Sequence, residues 1–169
     1  MTASLTFVLG GARSGKSRYA EEILGNCSGS LTYIATAQAF DEEMRDRIAH
    51  HSRRRDLRWR TVEAPLDLVA ALAACGPEQP VLIDCLTLWL TNVMLAGRDV
   101  EAESGRLVVA LADLRGPCVV VSNEVGLGIV PDNRLAREFR DHAGRLNQLV
   151  AQQAERVYFM VAGLPMSVK

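Results

Sequence analysis

An eight-residue segment near the start of the chain, Gly10–Ser17, constrains the fold more than any other part of the sequence. It has the spacing Gly-x-x-x-x-Gly-Lys-Ser, with an apolar run, Leu5–Leu9, before it and a helix-forming run after it. Glycines let successive backbone N–H groups turn toward a phosphate, and a helix amino terminus adds the positive end of its dipole. The sequence therefore predicts a strand, a loop that holds the phosphates of ATP or GTP, and a helix.

Four side chains are predicted to complete this phosphate site. In loops of this type the lysine, here Lys16, reaches the β- and γ-phosphates, and the hydroxyl of Ser17 binds Mg²⁺. Arg13 lies inside the loop and offers a further cation. A carboxylate is also needed at the end of a neighbouring strand, and Asp84 follows a short apolar run. An aspartate there is often a helix cap or turn residue, but beside a phosphate loop we interpret Asp84 as a Mg²⁺ residue.

The apolar runs predict an α/β fold. Runs that are apolar on both faces and rich in β-branched or aromatic residues are typical of buried parallel strands, and here they alternate with segments of helical spacing. We predict strands at Leu5–Leu9, Leu31–Ala35, Val81–Ile83, Cys118–Val121 and Val157–Val161, with an edge strand at Trp59–Glu63. The predicted helices are Ser17–Leu24, Asp41–Arg54, Leu66–Ala74, Leu86–Leu95, Glu103–Leu114 and Arg134–Ala154. This alternation indicates a three-layer, P-loop NTPase-like fold with a mostly parallel central sheet, in one domain of residues 1–169.

The composition argues against a nucleic-acid partner or a membrane span. The formal net charge is −1, and the most apolar window, Val81–Ala96, is too short and too polar to cross a bilayer. The first residues lack the basic start and the long apolar core of a secretory signal. The four cysteines include no Cys-x-x-Cys pair, which favours a reducing compartment and no zinc site. We therefore expect a cytoplasmic protein.

A basic segment contains two of the three histidines, His50 and His51. Arginines are concentrated around them, at positions 45, 47, 53, 54, 55, 58 and 60. One interpretation is a solvated basic helix with two surface histidines. The other is a nucleophilic imidazole that attacks an α-phosphorus and carries a nucleotidyl group, while arginines neutralise the charge that builds on the phosphate oxygens. The spacing alone does not choose between these two interpretations.

Six segments that together span nearly the whole chain carry a family resemblance. They are, in order, Gly10–Arg18, Tyr33–Thr36, Asp41–His51, Trp59–Glu63, Ser122–Pro131 and Asn133–Gln148. The set resembles the bifunctional adenosylcobinamide kinase/adenosylcobinamide-phosphate guanylyltransferase of cobalamin biosynthesis. The loop alone does not discriminate between families, whereas the ordered set is highly specific.

The resemblance implies two reactions. A nucleoside triphosphate, ATP or GTP, first phosphorylates the aminopropanol hydroxyl of adenosylcobinamide. GTP then guanylylates an enzyme histidine with release of pyrophosphate, and GMP passes to adenosylcobinamide phosphate to give the GDP-linked product. The first histidine of the pair is the family's nucleophile, which places this role at His50. The family also forms a homotrimer with active sites between subunits.

The same resemblance implies nucleotide contacts on three stretches of the chain and at two acidic residues. They are Leu9, Gly10, Gly11, Ala12, Arg13, Ser14, Gly15, Lys16, Ser17, Ile34, Ala35, Thr36, His51, Ser52, Arg53, Arg54, Glu63 and Asp84. The chain departs from the family in two places: the segment 96–104 is short, and Asp84 stands where some members carry Glu, although either carboxylate serves a Mg²⁺ shell. The arginines of the last predicted helix could contact phosphate or a neighbouring subunit, or pair within the helix.

Other functions compete with the two-step enzyme. The main alternative is a single-function P-loop kinase of another small metabolite, in which His50 has no chemical role. A GTP-driven switch usually carries Asn/Thr-Lys-x-Asp, which this sequence lacks. A nucleic-acid-stimulated ATPase has support only from the arginine-rich segment, and the neutral net charge weakens that reading. The sequence leaves open whether ATP or GTP is the preferred kinase donor.

Overall fold

The computed structural model describes residues 4–38, 55–76 and 78–169. The strands in this part of the chain are β1 (Ser4–Gly10), β2 (Leu31–Ala35), β3 (Trp59–Glu63), β4 (Val81–Asp84), β5 (Pro117–Val121), β6 (Arg156–Val161) and β7 (Leu164–Ser167). They form one sheet in the order β3-β2-β4-β5-β1-β6-β7, and every neighbouring pair is parallel except β6 and β7. The helices are α1 (Lys16–Gly25), α2 (Leu68–Ala73), α3 (Leu86–Leu95), α4 (Val100–Ala112) and α5 (Arg134–Gln153). The predicted α/β fold with a mostly parallel sheet is confirmed.

The two faces of the sheet bury two hydrophobic cores, because successive side chains of a strand point to opposite faces. Phe7 and Ile34 are fully buried on the face that carries α2, α3, α4 and α5. Their strand neighbours Val8 and Tyr33 lie on the opposite face, with Leu24 of α1. Fully burying one such aliphatic or phenylalanine side chain stabilises the fold by about 1.5–3 kcal/mol. Because helices cover both faces of the sheet, both faces of each central strand are apolar, which explains the continuous apolar runs in the sequence.

Most of the predicted element boundaries lie within one residue of the observed ones. β2, β3 and α3 begin and end at the predicted residues, while α2 is shorter than the predicted helix. The helix predicted from Glu103 begins earlier, at Val100, because the side chain of Asp99 accepts hydrogen bonds from the first backbone N–H groups of α4. The predicted helix Asp41–Arg54 lies outside the described residues.

The strand β7 is absent from the predicted set. Pro165 argues against a strand, yet all four residues of β7 are exposed on the edge of the sheet, where proline is tolerated. Ala162 and Gly163 have φ of 52° and 84° and form a two-residue turn that folds β7 back on β6. The turn was not predicted, because alanine rarely adopts a positive φ and so does not indicate a turn in the sequence.

The parallel arrangement brings the carboxyl ends of β1 to β6 to one edge of the sheet, where ligands bind in open α/β folds. We call it the carboxyl edge. Among the helices of the described residues, none has the length and apolarity needed to cross a membrane.

Candidate active site

The loop between β1 and α1 has a backbone that requires glycine at its first position. Gly10 has φ of 152°, and a Cβ added there would lie 2.7 Å from Ser14 Oγ and 2.8 Å from the carbonyl oxygen of Met160. Gly15, directly before α1, has φ of 94°, and Arg13 is also left-handed with φ of 54°. These residues curl the backbone between strand and helix as a phosphate loop demands.

Two backbone hydrogen bonds hold this loop against neighbouring segments. The N–H of Glu124, just after β5, donates to the carbonyl of Gly10 at 3.1 Å. The N–H of Gly163, in the turn between β6 and β7, donates to the carbonyl of Ser14 at 3.1 Å. The Ser14 hydroxyl is buried and has no partner within the described residues. The loop is therefore fixed from both sides while it retains a free hydroxyl.

Lys16 begins α1, and its side chain folds back under the loop. Its Nζ donates a hydrogen bond to the carbonyl of Gly11, and the residue is only 7% exposed. Burial lowers the pKa of Lys16, while the Cys85 thiol and the Asp84 carboxylate act in the opposite direction. A buried ammonium group is costly unless an anion compensates it. The loop therefore presents a cation that favours an anionic ligand.

The sheet register places the predicted acidic residues in one row. Glu63 at the end of β3 pairs with Ala35 of β2, which pairs on its other side with Asp84 of β4. The same row continues through β5 to Val8 of β1, two residues before the loop begins. Glu63 and Asp84 thus lie at the same carboxyl edge as the loop, with Asp84 nearer to it.

Thr36 is fully buried directly after β2 and joins the ends of three strands. Its Oγ1 donates to the carbonyl of Cys85 at 2.7 Å and accepts from the N–H of Cys85 at 2.8 Å. Asn92 of α3 donates from Nδ2 to the carbonyls of Thr36 and Pro65, each at 2.9 Å. These bonds tie the exits of β2, β3 and β4 to one another. We call Thr36, Cys85 and Asn92 the strand-exit cluster.

The Asp84 carboxylate is held by a buried tyrosine. Tyr33 donates from its hydroxyl to Asp84 Oδ2 at 3.1 Å. Burial raises the pKa of Tyr33, and the neighbouring carboxylate adds to this effect, so the hydroxyl stays protonated as a donor. The Arg55 guanidinium lies 3.5 Å from the centroid of the Tyr33 ring. The sequence did not predict the contacts of Tyr33 and Asn92, because each acts through residues distant in the sequence, and it indicated Arg55 only as one of the clustered arginines.

The predicted contact residues do not all face the loop. Ile34 is fully buried, and Leu9 is partly buried against the same core. Both side chains therefore belong to the core beneath α2, α3, α4 and α5. The structure brings the remaining described residues of the prediction to the carboxyl edge, namely the loop Gly10–Ser17, Ala35, Thr36, Glu63 and Asp84. The predicted residues His50, His51, Ser52, Arg53 and Arg54 lie outside the described residues.

The donor chemistry at this edge fits Mg²⁺. Ser17 in the first turn of α1 offers a hydroxyl, and Asp84 offers a carboxylate, which are the hard oxygen ligands that Mg²⁺ prefers. Within residues 4–38, 55–76 and 78–169 no group of three or more His, Cys, Asp or Glu side chains is placed to hold a metal. A magnesium ion here would complete its shell with phosphate oxygens and water, as it commonly does in phosphoryl-transfer enzymes.

Comparison with known proteins decides which phosphate-loop enzymes this chain is related to. Residues 6–168 match the family CobU, described as cobinamide kinase/cobinamide phosphate guanyltransferase. The chain belongs to this family. It is 49% identical over 165 residues to the bifunctional adenosylcobalamin biosynthesis protein CobP of Pseudomonas aeruginosa, over 96% of this chain and 95% of that protein. The predicted family is confirmed, and with it a kinase and a guanylyltransferase activity in cobalamin biosynthesis.

Two further relatives support the same assignment. The proteins named bifunctional adenosylcobalamin biosynthesis protein CobU in Salmonella typhimurium and Escherichia coli are 40% and 41% identical to this chain. Each match runs over 181 residues and covers 98% of this chain and 99% of the relative.

Solved structures with low sequence identity share the fold alone. A protein of Pyrococcus horikoshii OT3 has a TM-score of 0.54 at 9% identity and is covered over 86% of its length, with 98% of this chain. The VirB11 ATPase of the Brucella suis type IV secretion system has a TM-score of 0.50 at 13% identity, over 98% of this chain and 47% of that one. The second likeness agrees with the predicted P-loop NTPase-like architecture.

Proposed function

We propose that this enzyme phosphorylates adenosylcobinamide and then transfers GMP from GTP to adenosylcobinamide phosphate, with His50 as the covalent carrier of the guanylyl group. The observation that carries the proposal is the phosphate loop itself, with the buried Lys16 beneath it and Asp84 on the neighbouring strand end. Both reactions begin with a nucleoside triphosphate, so one such site serves each of them.

The residues of the loop bind and orient the triphosphate. The backbone N–H groups and the amino terminus of α1 stabilise the phosphate oxygens, and Lys16 adds a positive charge that counters the charge developing during transfer. Ser17 and Asp84 would hold Mg²⁺, which supplies neutralisation of the phosphate oxygens when bound. Ala35, Thr36 and Glu63 would contact the remainder of the nucleotide, as would the predicted residues His51, Ser52, Arg53 and Arg54.

The first reaction transfers a phosphoryl group. The hydroxyl oxygen of adenosylcobinamide attacks the γ-phosphorus of the triphosphate, and its proton passes to solvent water. The bond from the γ-phosphorus to the bridging oxygen breaks, and the nucleoside diphosphate leaves. Direct phosphoryl transfer requires no covalent bond between the enzyme and the phosphorus. We therefore assign the catalysis to positioning and charge stabilisation by the loop.

The second reaction passes through a histidine. A ring nitrogen of neutral His50 attacks the α-phosphorus of GTP, a phosphorus–nitrogen bond forms, and pyrophosphate leaves. A phosphate oxygen of adenosylcobinamide phosphate then attacks the same phosphorus, which breaks the phosphorus–nitrogen bond and regenerates the imidazole. The product is adenosylcobinamide-GDP.

Labelling separates this mechanism from its alternatives. We expect the enzyme incubated with Mg²⁺ and GTP labelled at the α-phosphorus to form a protein–GMP adduct that is acid-labile and base-stable. His50→Ala should abolish the adduct, whereas His142→Ala, which also removes one imidazole, should retain it in full. His51→Ala removes a proposed nucleotide contact and should reduce the adduct without abolishing it. An adduct that survives in His50→Ala would contradict the assignment of the carrier.

The kinase activity is tested separately from the transfer. His50→Ala should retain much of the phosphorylation of adenosylcobinamide, because the attacking group in that step is the substrate hydroxyl. Chromatography of the corrinoids after incubation with adenosylcobinamide and GTP should show both the phosphate and the GDP-linked product. A single-function kinase of another metabolite would instead give neither corrinoid product and no labelled protein.

We further propose that the chain folds as one domain and acts as a homotrimer in the cytoplasm. The support is the family membership and one continuous sheet through the described residues. Light scattering coupled to size-exclusion chromatography should give three times the mass of the chain, and denaturation should show one cooperative transition. A monomer that retains full guanylyl transfer would contradict a site formed between subunits.

A further inference from the structure

The hydroxyl of Tyr33 is placed to control how the Asp84 carboxylate is oriented. Tyr33 is 6% exposed in the middle of β2, and its hydroxyl reaches Asp84 Oδ2 at 3.1 Å on the neighbouring strand β4. The opposite charge on Lys16 is close enough to Asp84 for the two to interact electrostatically. Fixing one carboxylate oxygen of Asp84 through the tyrosine limits the rotation of the group and sets where its other oxygen points.

The ring of Tyr33 is itself held on two sides. The Arg55 guanidinium lies 3.5 Å from the ring centroid, and the edge of Trp59 meets the ring with centroids 6.5 Å apart at 77°. Arg55 Nη1 is buried and has no hydrogen-bond partner within the described residues, so the aromatic face is the contact the structure gives this cation. A ring fixed in this way places its hydroxyl at one point relative to β4.

We propose that Arg55, Tyr33 and Asp84 form a positioning chain, in which Arg55 fixes the Tyr33 ring and the Tyr33 hydroxyl fixes the Asp84 carboxylate for the nucleotide-bound Mg²⁺. This inference rests on the proposed nucleotide site and extends it to two residues that have no direct role in the chemistry. In the sequence, Arg55 directly follows the predicted helix Asp41–Arg54, which contains His50.

The test measures nucleotide binding rather than catalysis. A fluorescent GTP analogue whose α–β phosphate bridge cannot be cleaved, and which therefore cannot form the histidine adduct, is titrated into the enzyme at increasing Mg²⁺. The Mg²⁺ concentration that gives half of the gain in affinity is recorded. Tyr33→Phe keeps the ring and removes only the hydroxyl, so we expect this concentration to rise about tenfold, since the lost hydrogen bond is to a charged group. Arg55→Gln loosens the ring without removing the hydroxyl and should raise the concentration by a smaller factor, about threefold.

Two comparisons distinguish positioning from a general structural effect. Tyr158→Phe is the matched control, because Tyr158 is also paired with another ring, Tyr19, at 5.3 Å, but lies on β6 away from Asp84. It should leave the Mg²⁺ response unchanged. In an Asp84→Asn background, Tyr33→Phe and Arg55→Gln should cause no further change, since the carboxylate through which they act is gone.

The outcomes decide the proposal independently of the carrier histidine. An equal loss of affinity with and without Mg²⁺, or an undiminished effect of Tyr33→Phe in the Asp84→Asn background, would overturn the positioning chain. A wild-type affinity that does not respond to Mg²⁺ would overturn it as well. Binding is measured without a corrinoid and without turnover. A missing histidine adduct would therefore refute the proposed transfer mechanism, but the Mg²⁺ dependence of nucleotide affinity would still test the positioning chain.

Discussion

The phosphate loop and the strand-exit cluster lie at the same edge of the sheet but are held by different kinds of interaction. The loop is a continuous stretch, Gly10–Ser17, whose shape comes from backbone torsions and from hydrogen bonds that neighbouring N–H groups donate to its carbonyls. The strand-exit cluster joins Thr36, Cys85 and Asn92 through side-chain hydrogen bonds between residues 49 and 56 positions apart.

This difference separates two consequences of mutation. Lys16 is buried beneath the loop, but a buried ammonium is itself costly, so its removal should affect ligand binding and catalysis before stability. A side chain of the strand-exit cluster satisfies buried backbone groups on other strands, so its removal affects the free energy of unfolding first. Four predictions test whether the two regions separate in this way.

The largest effect is expected from Lys16→Ala. Loss of the ammonium should reduce both the kinase and the guanylyl-transfer rates by at least about 100-fold, as is typical when a preorganised donor to a transition state is lost. The measurement is kcat/KM for each reaction. Arg18→Ala is the matched control, because Arg18 is the nearby exposed cation of α1 paired with Glu22, and it should change neither rate appreciably. Equal losses in the two variants would contradict a specific role for Lys16.

Thr36→Val should give the next largest effect, on stability. Valine has nearly the same shape but leaves the buried N–H of Cys85 without its acceptor. It also removes one of two bonds to the Cys85 carbonyl, which keeps the N–H of Trp89, and the two losses together cost about 2–4 kcal/mol. Urea denaturation measures the free energy of unfolding. Thr61→Val, at an exposed position of β3, should stay within about 0.5 kcal/mol of the wild type. A Thr36→Val protein as stable as the control would show that the cluster is not a structural tie.

Gly10→Ala tests the backbone side of the comparison. The added Cβ meets Ser14 Oγ and the carbonyl of Met160, and φ of 152° is strained for alanine, so we expect a loss of about 1–3 kcal/mol in unfolding free energy together with weaker nucleotide binding. Gly11→Ala is the matched control, since a Cβ at Gly11 meets nothing within 4 Å. If both substitutions behave alike, the loop does not depend on glycine at its first position.

The smallest effect concerns pH. Burial lowers the pKa of Lys16 in the folded protein below its usual value of 10.5. At a pH between the folded and the usual pKa, Lys16 therefore carries a proton in the unfolded chain but not in the folded protein. The cost of the buried charge is complete at lower pH and is relieved as the pH rises toward 10.5. Relative to Lys16→Met, the wild type should therefore gain stability with rising pH in denaturation at several alkaline pH values.

The Cys85 thiol also contributes to the pH dependence. Burial raises its pKa to about 11, which makes both proteins less stable at alkaline pH, so the comparison is repeated in a Cys85→Ala background that removes this contribution from both. A wild-type stability that falls relative to Lys16→Met as pH rises would contradict the lowered pKa of Lys16.

The positions of the elements were largely predictable from the sequence, because the apolar runs of a sheet covered on both faces are recognisable without knowledge of their partners. The loop was predictable for a related reason, since its function requires glycines and a lysine at a fixed spacing. The strand β7 was not, because its turn uses alanine at φ of 52° and the strand contains a proline. Tyr33 and Asn92 were not assigned to the site, since nothing in their local sequence indicates which strand end they would bind.

The sequence by itself determined the strand–loop–helix unit around Lys16, the alternation of strands and helices, and the resemblance that the family comparison confirms. Only the tertiary structure decided that Glu63, Ala35 and Asp84 share one row, and that Tyr33 bonds to Asp84. The physical reason is the range of the interactions: backbone torsions and local spacing are encoded over a few residues. Strand order and buried side-chain hydrogen bonds depend instead on how distant segments pack together.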